Sequence, residues 1–154
     1  MKKISFHILF ASSLLITGNI FSQRDSMSKT FLNHIALYVT DLKKSGSFYS
    51  DIIGLDTIPE PFHDGKHIWY SIGPKSHLHL IEGAAYKPEH NKNNHLCFSV
   101  ASVETFITTL KKKNIAFENW AGEKSVFNTR VDGVKQIYFR DPDGYWIEIN
   151  DAKE

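Results

Sequence analysis

The feature that most constrains the fold of this 154-residue chain is an internal repeat. Residues 33–42, Asn-His-Ile-Ala-Leu-Tyr-Val-Thr-Asp-Leu, resemble residues 94–103, Asn-His-Leu-Cys-Phe-Ser-Val-Ala-Ser-Val, at a constant offset of 61. Each copy alternates apolar residues as a strand does, and a helical pattern follows it. A repeat of this kind predicts two copies of one supersecondary unit, packed together because neither unit can bury all its apolar surface alone.

The two copies continue in the same way. Helices are predicted over 42–53, ending at Gly54, and over 103–113, with Asp41 and Ser102 as their N-terminal caps. Short strands are predicted after each helix, at 56–58, 67–72 and 77–82 in the first half and at 116–120, 135–140 and 145–150 in the second.

This order predicts an α+β protein made of two βαβββ modules. Module one covers 30–85 and module two covers 93–151, so that 30–151 form a single domain. A polar stretch over 86–93 is the predicted connector.

The N-terminus has the pattern of a secretory signal peptide over 1–22. Lys2 and Lys3 precede an apolar run over 4–20 that carries no Lys, Arg, Asp or Glu. The prediction is an exported protein, periplasmic or secreted, without membrane contact after cleavage. An uncleaved anchor helix is the alternative, since the run approaches the ~17 residues needed to cross a bilayer.

Composition excludes some partners. The formal charge is +1, so no basic excess points to nucleic acid as a partner. Cys97 is the only cysteine, which rules out an internal disulfide. It lies in an apolar strand pattern, where a buried and inert thiol is expected.

Eight histidines are many for this length, and strand alternation separates them. In the first strand of each module, alternation places His34 and His95 at equivalent positions, opposite the apolar residues that suit the core. In the last strands, Leu-His-Leu at 78–80 and Ile-Glu-Ile at 147–149 share one motif, with a polar residue between two aliphatic ones.

If the two halves are related by pseudo-symmetry, His34, His79, His95 and Glu148 converge. A lone histidine on a strand is more often a hydrogen-bonded core residue, but four such residues at matched places favour a metal site. A carboxylate buried without a partner would be costly, and a metal supplies one. Three imidazoles and one carboxylate suit Zn, Ni, Fe, Co or Mn.

Three other residues are candidates for substrate contact. Arg130 could bind an anionic group, although a solvated loop position explains it equally well. Trp69 and Trp120 could line a pocket, although aromatic residues on strands are usually core. His63, His67, His77 and His90 are assigned to loops, rim or surface.

The chain resembles the vicinal oxygen chelate superfamily, which includes glyoxalase I, bleomycin-resistance proteins, fosfomycin-resistance transferases and extradiol dioxygenases. The resemblance lies in the Asn-His start of both repeats, in Leu-His-Leu-Ile-Glu at 78–82, and in Phe-Arg-Asp-Pro-Asp-Gly-Tyr-Trp-Ile-Glu at 139–148. It implies a cupped mixed sheet and the same four metal ligands. It also implies a small-molecule partner, an oxygen-chelated substrate that passes through a metal-stabilised enediolate-type intermediate. It also implies homodimers, since many relatives share sites between chains.

The leading hypothesis is a glyoxalase-like lyase or isomerase with Glu148 as ligand and proton shuttle. Glyoxalase I has a Glu where this chain has His79, which leaves Glu148 as the only carboxylate ligand. The alternatives are a non-haem Fe(II) dioxygenase, which usually needs only two His and one carboxylate, and a non-catalytic binding protein of the antibiotic-resistance type. No sequence feature supports transferase activity.

Overall fold

A computed structural model describes residues 29–153, and its strands and helices belong to one compact unit that begins at Leu32. The predicted leader over 1–22 lies outside the described residues. Module one contains β1 (His34–Val39), α1 (Leu42–Phe48), a π-helical segment (Tyr49–Ile53), β2 (Thr57–Ile58), β3 (His67–Gly73) and β4 (Ser76–Glu82). Module two contains β5 (His95–Ser99), α2 (Val103–Lys112), β6 (Asn128–Thr129), β7 (Lys135–Arg140) and β8 (Trp146–Asn150).

The predicted α+β class and βαβββ order are confirmed. None of the helices in 29–153 is long and apolar enough to cross a bilayer.

Each module forms its own four-stranded mixed sheet, in the orders β1-β4-β3-β2 and β5-β8-β7-β6. The first strand pairs in parallel with the last strand of its module, and the other pairs are antiparallel. The register places Ala36 beside His79 in module one and Cys97 beside Glu148 in module two. The two sheets therefore present their polar residues at matching places.

The helix boundaries follow from local hydrogen bonds. The side chain of Asp41 accepts a bond of 2.9 Å from the backbone N–H of Lys44, and the side chain of Ser102 accepts one of 3.2 Å from Thr105. Both predicted N-caps are confirmed. Gly54 ends the first helical run in the left-handed conformation that glycine adopts without strain, with φ +84°.

The strand predicted over 116–120 is wrong. Glu118 forms an isolated antiparallel bridge with Tyr138 of β7, with backbone N···O distances of 2.8 and 2.7 Å. The ladder stops there because the side chain of Asn119 holds a turn, bonding both the backbone N–H and the carboxylate of Glu123. The strand that pairs with β7 comes later, as β6 at Asn128–Thr129.

The inner faces of both sheets pack into one hydrophobic core together with α1 and α2. Phe48 of α1 reaches across the modules, and its ring lies 6.0 Å from that of Phe139 on β7. The core residues on the strands are Leu37, Val39, Tyr70, Leu78, Leu80, Ile137, Phe139, Ile147 and Ile149. The sheet faces that point away from this core are called the open faces below.

The turn at 141–144 joins module two to module one through two buried carboxylates. Asp143 is 2% exposed and accepts bonds from Thr40 N (2.8 Å), Thr40 Oγ1 (2.7 Å) and Ser45 Oγ (2.6 Å). Asp141 accepts a bond of 2.8 Å from the Tyr49 hydroxyl. The Asp-Pro-Asp-Gly motif thus serves the packing of the two modules.

Candidate metal centre

The first pair of candidate ligands lies on the open face of module one. The rings of His34 and His79 stack with centroids 4.4 Å apart, and Trp69 stacks on His79 at 3.9 Å. These two rings leave His79 only 8% exposed. Nδ1 of His34 is 2.8 Å from the side-chain oxygen of Asn33, so Nδ1 donates there and the ring's lone pair is on Nε2.

His79 differs from a core histidine whose ring nitrogens are both hydrogen-bonded. Its Nε2 is buried and has no hydrogen-bond partner among the residues that the structure describes. Burial lowers the pKa of His79, and the neighbouring His34, His77 and His67 lower it further. The neutral imidazole is therefore favoured, and this is the form that binds a metal ion. A buried nitrogen left unpaired is costly, and a cation would pair with it.

The second pair lies on the open face of module two. Nε2 of His95 is 3.1 Å from Oε2 of Glu148. Nδ1 of His95 is 2.8 Å from the backbone oxygen of Lys92, and therefore donates to it. Nε2 of His95 therefore faces the Glu148 carboxylate, and the two atoms are placed to share a proton or a bound cation. The donor set fits a divalent metal.

Glu148 is 6% exposed and is held by neighbouring donors. The Tyr138 hydroxyl donates to Oε2 at 2.6 Å, and Asn150 Nδ2 donates to Oε1 at 3.0 Å. Burial alone would raise the pKa of this carboxyl, but bonds from Tyr138, Asn150 and Cys97, together with the charge of His95, lower it below its ordinary value. Glu148 is therefore an ionised carboxylate with fixed orientation.

Replacement Tyr138→Phe should weaken zinc binding by roughly 10- to 100-fold, because it removes a bond that orients a ligand. Competition against a chromophoric chelator measures the affinity. Tyr86→Phe is the control, since Tyr86 is 74% exposed. Equal affinities of Tyr138→Phe and wild-type protein would show that Tyr138 does not support a ligand.

The four predicted ligands form two pairs rather than one cluster. Across residues 29–153, no group of three or more His, Cys, Asp or Glu side chains is placed to hold a metal ion within one chain. The expected convergence of His34, His79, His95 and Glu148 is thus not met inside a single chain. Both pairs lie on open faces, and metal binding itself stays a prediction.

The candidate substrate residues have different surroundings. Trp69 stacks on the ring of His79, one of the two histidines of the first pair. Trp120 is 47% exposed, with its ring 5.5 Å from that of Tyr138. Arg130 is exposed and pairs with Asp132, whose bond and charge raise the pKa of Arg130, with a smaller contribution from Glu148. Their roles in binding stay predictions.

A cavity of about 520 Å³ opens beside the first pair. It is lined by Asn33, His34, Phe62, His67, Trp69, His77, His79 and Ile81. His67 and His77 thus line a cavity, where their sequence context predicts loop, rim or surface positions. Strand alternation contains the missed signal, because His67 is two residues from Trp69 and His77 is two residues from His79.

The expected burial of Cys97 is wrong. The residue is exposed, because β5 places it on the open face beside Glu148. Its sulfur accepts a bond of 3.1 Å from Asn150 Nδ2. Desolvation and the charge of Glu148 raise the pKa of the thiol to about 12, so Cys97 stays protonated.

Two βαβββ modules, each with a pair of metal-type donors on its open face, define a class of paired-module α+β proteins. The chain belongs to the Glyoxalase/Bleomycin resistance protein/Dioxygenase superfamily, whose family model matches residues 31–149.

Curated relatives and a solved structure show the same likeness. The chain is 30% identical over 95 residues to mitochondrial methylmalonyl-CoA epimerase of Mus musculus, covering 54% of this chain and 53% of the relative. It is 27% identical over 157 residues to lactoylglutathione lyase of Schizosaccharomyces pombe, covering 83% and 49%. The chain therefore spans about half the length of these curated relatives. Its fold matches that of the fosfomycin resistance protein FosX from Listeria monocytogenes, with a TM-score of 0.65, 24% identity, and coverage of 81% and 95%.

Proposed function

We propose that this protein is a metal-dependent, glyoxalase-like lyase or isomerase that moves a proton at a carbon next to a carbonyl group. The observation that carries the proposal is the donor set. A buried His79 nitrogen that has no hydrogen-bond partner within 29–153 and an ionised, oriented Glu148 occupy matching strands. Two relatives support it by name, since methylmalonyl-CoA and lactoylglutathione both carry a stereocentre next to a thioester carbonyl.

His34, His79, His95 and Glu148 would hold the ion, which would be Zn, Ni, Fe, Co or Mn. When bound, the ion supplies Lewis acidity toward oxygen atoms of a chelating substrate. Trp69 Nε1 is buried without a hydrogen-bond partner in the described part of the chain, so it is available to an additional acceptor on the substrate.

The proposal includes a dimer in which each metal centre takes two ligands from each chain. His34 and His79 of one copy would meet His95 and Glu148 of the other. The support is that one chain brings these residues together as two separate pairs. Large side chains near the two pairs are also solvent-exposed, with Tyr38 at 52%, Phe62 at 58% and Trp120 at 47%. Exposed aromatic residues of this kind are typical of interfaces.

Glu148 is assigned mainly to metal binding in this proposal. Its Oε2 already contacts Tyr138 and His95, and its Oε1 contacts Asn150. These contacts orient the carboxylate and leave little freedom for it to swing toward a substrate carbon. The additional role of Glu148 as a proton shuttle stays a prediction.

We also propose that the protein is exported, and the support is the leader pattern over 1–22. Expression of the full chain in a bacterial host, followed by fractionation and mass measurement, tests it. A product of full mass in the membrane fraction would indicate the uncleaved anchor instead.

Metal analysis and proton exchange together test the activity. Purified protein should hold about one metal ion per chain, as a two-site dimer requires. Incubation in D₂O with hydroxyacetone, the glutathione hemithioacetal of methylglyoxal, or methylmalonyl-CoA should introduce deuterium next to a carbonyl of at least one compound without O₂. Substoichiometric metal would overturn the enzyme proposal, and O₂-dependent consumption of a catechol would favour the dioxygenase.

A further inference from the structure

An aspartate and a histidine form a hydrogen-bonded pair at the rim of the module-one cavity. Nδ1 of His67 lies 2.9 Å from Oδ1 of Asp64. The same carboxylate oxygen accepts a bond of 2.9 Å from the backbone N–H of Lys66, which fixes its direction. The His67 side chain is 17% exposed, and Phe62 packs on its ring at 4.6 Å.

This pair sets the tautomer of His67. The hydrogen bond from His67, together with that from Lys66, lowers the pKa of Asp64, so its carboxylate is ionised and can only accept hydrogen bonds. Nδ1 of His67 must therefore carry the hydrogen, which leaves the lone pair on Nε2. Carboxylate–histidine pairs prepare imidazole bases in this way, because the carboxylate also stabilises the ring after it gains a proton.

The other histidines of the cavity lack this support. His34 and His79 belong to the candidate metal centre, and the partner of His34 Nδ1 is a neutral amide. Among the side chains described in 29–153, His77 bonds no carboxylate, although it lines the same cavity. His67 is thus the cavity histidine with an anionic partner on Nδ1, and no residue of the described range 29–153 bonds its Nε2.

We propose that His67 is the general base of the proton transfer, which rests on the function proposed above. The carbon–hydrogen bond next to the carbonyl breaks, and its proton moves to Nε2 of His67. The electron pair of that bond forms a carbon–carbon double bond, and the carbonyl oxygen takes the negative charge. Nε2 returns the proton to the substrate in the second half of the reaction, so no oxidant or reductant is needed.

The test compares three variants in the full-length protein loaded with zinc. His67→Gln should lower the rate of deuterium incorporation into the three carbonyl probes by roughly 100-fold or more, as expected for loss of a general base. Asp64→Asn should lower it less, because the base remains but loses its tautomer control. His63→Gln is the matched control and should exchange at the wild-type rate, because His63 also lies beside a carboxylate, that of Glu60, but its side chain is 81% exposed and is not part of the cavity lining. All three should bind zinc as the wild type does, because none removes a proposed ligand.

A spectroscopic measurement separates chemistry from structure. The ¹⁵N shifts of the His67 ring should show a hydrogen on Nδ1 in the wild type, and this tautomer should be lost in Asp64→Asn. Wild-type exchange rates in His67→Gln would overturn His67 as base while leaving the proposed function intact. Zinc-loaded wild-type protein that exchanges none of the probes would overturn the proposed function, and the base with it.

Discussion

Mixing the His79→Ala and Glu148→Ala variants should restore zinc binding that neither variant has alone. Each variant damages one pair and keeps the other intact, since His79 pairs with His34 and Glu148 pairs with His95. In a mixed dimer with shared centres, one centre receives both intact pairs and the other receives both damaged pairs. Random exchange makes half of the dimers mixed, so about a quarter of the wild-type sites should return.

The measurement is a zinc competition titration after subunit exchange, with mass spectrometry to confirm that mixed dimers form. The control mixes His34→Ala with His79→Ala, because both changes damage the same pair and no intact centre can then arise. If mixed dimers of His79→Ala and Glu148→Ala form but bind no zinc, the two-chain centre is wrong.

The faces on which the candidate ligands lie could be predicted from the sequence, but their grouping into two pairs could not. Strand alternation placed His34 and His95 on the faces opposite the core, and the structure has both residues there. The position of His79 and Glu148 on the same faces follows from the same period of two. Whether the pairs meet within a chain depends on how the two modules pack against each other, and alternation carries no information on that packing.

Loop geometry explains why the Asp64–His67 pair and the true path of 116–120 could not be predicted from the sequence. The pairing of Asp64 with His67 depends on a bend in which His63 and Gly65 both have positive φ, at 52° and 71°. Such a bend is a property of the folded backbone, so the residue type of His67 alone suggested only a rim position. The misplaced strand at 116–120 has a similar origin, because the side-chain bonds of Asn119 turn the chain before a ladder can form.

Replacement Asp143→Ala should destabilise the protein by roughly 3–5 kcal/mol. The side chain is 2% exposed, and its removal leaves three donors of Thr40 and Ser45 without their acceptor. Buried donors that lose a charged acceptor carry the full cost of desolvation. The loss should also weaken the contact between the two modules, because Thr40 and Ser45 belong to module one.

Urea denaturation followed by circular dichroism measures the free energy of unfolding. Asp132→Ala is the control, because Asp132 is an exposed partner of Arg130 and such a pair contributes less than about 1 kcal/mol. Similar midpoints for Asp143→Ala and Asp132→Ala would show that the 141–144 turn does not join the modules.

The contribution of Asp143 should also depend on pH with a defined sign. Burial would raise the pKa of Asp143, but the bonds from Ser45 and Thr40 outweigh burial and hold the pKa below its ordinary value. A carboxyl whose pKa is lower in the folded protein stabilises it fully above the unfolded pKa of about 3.9. That stabilisation is lost as pH falls through the folded pKa. Asp141, whose pKa is raised by burial, is present in the wild type and in Asp143→Ala, so its titration contributes to the stability of both. The stability difference between wild type and Asp143→Ala should therefore shrink as pH falls below about 4, and a constant difference across this range would show that the charge of Asp143 contributes nothing.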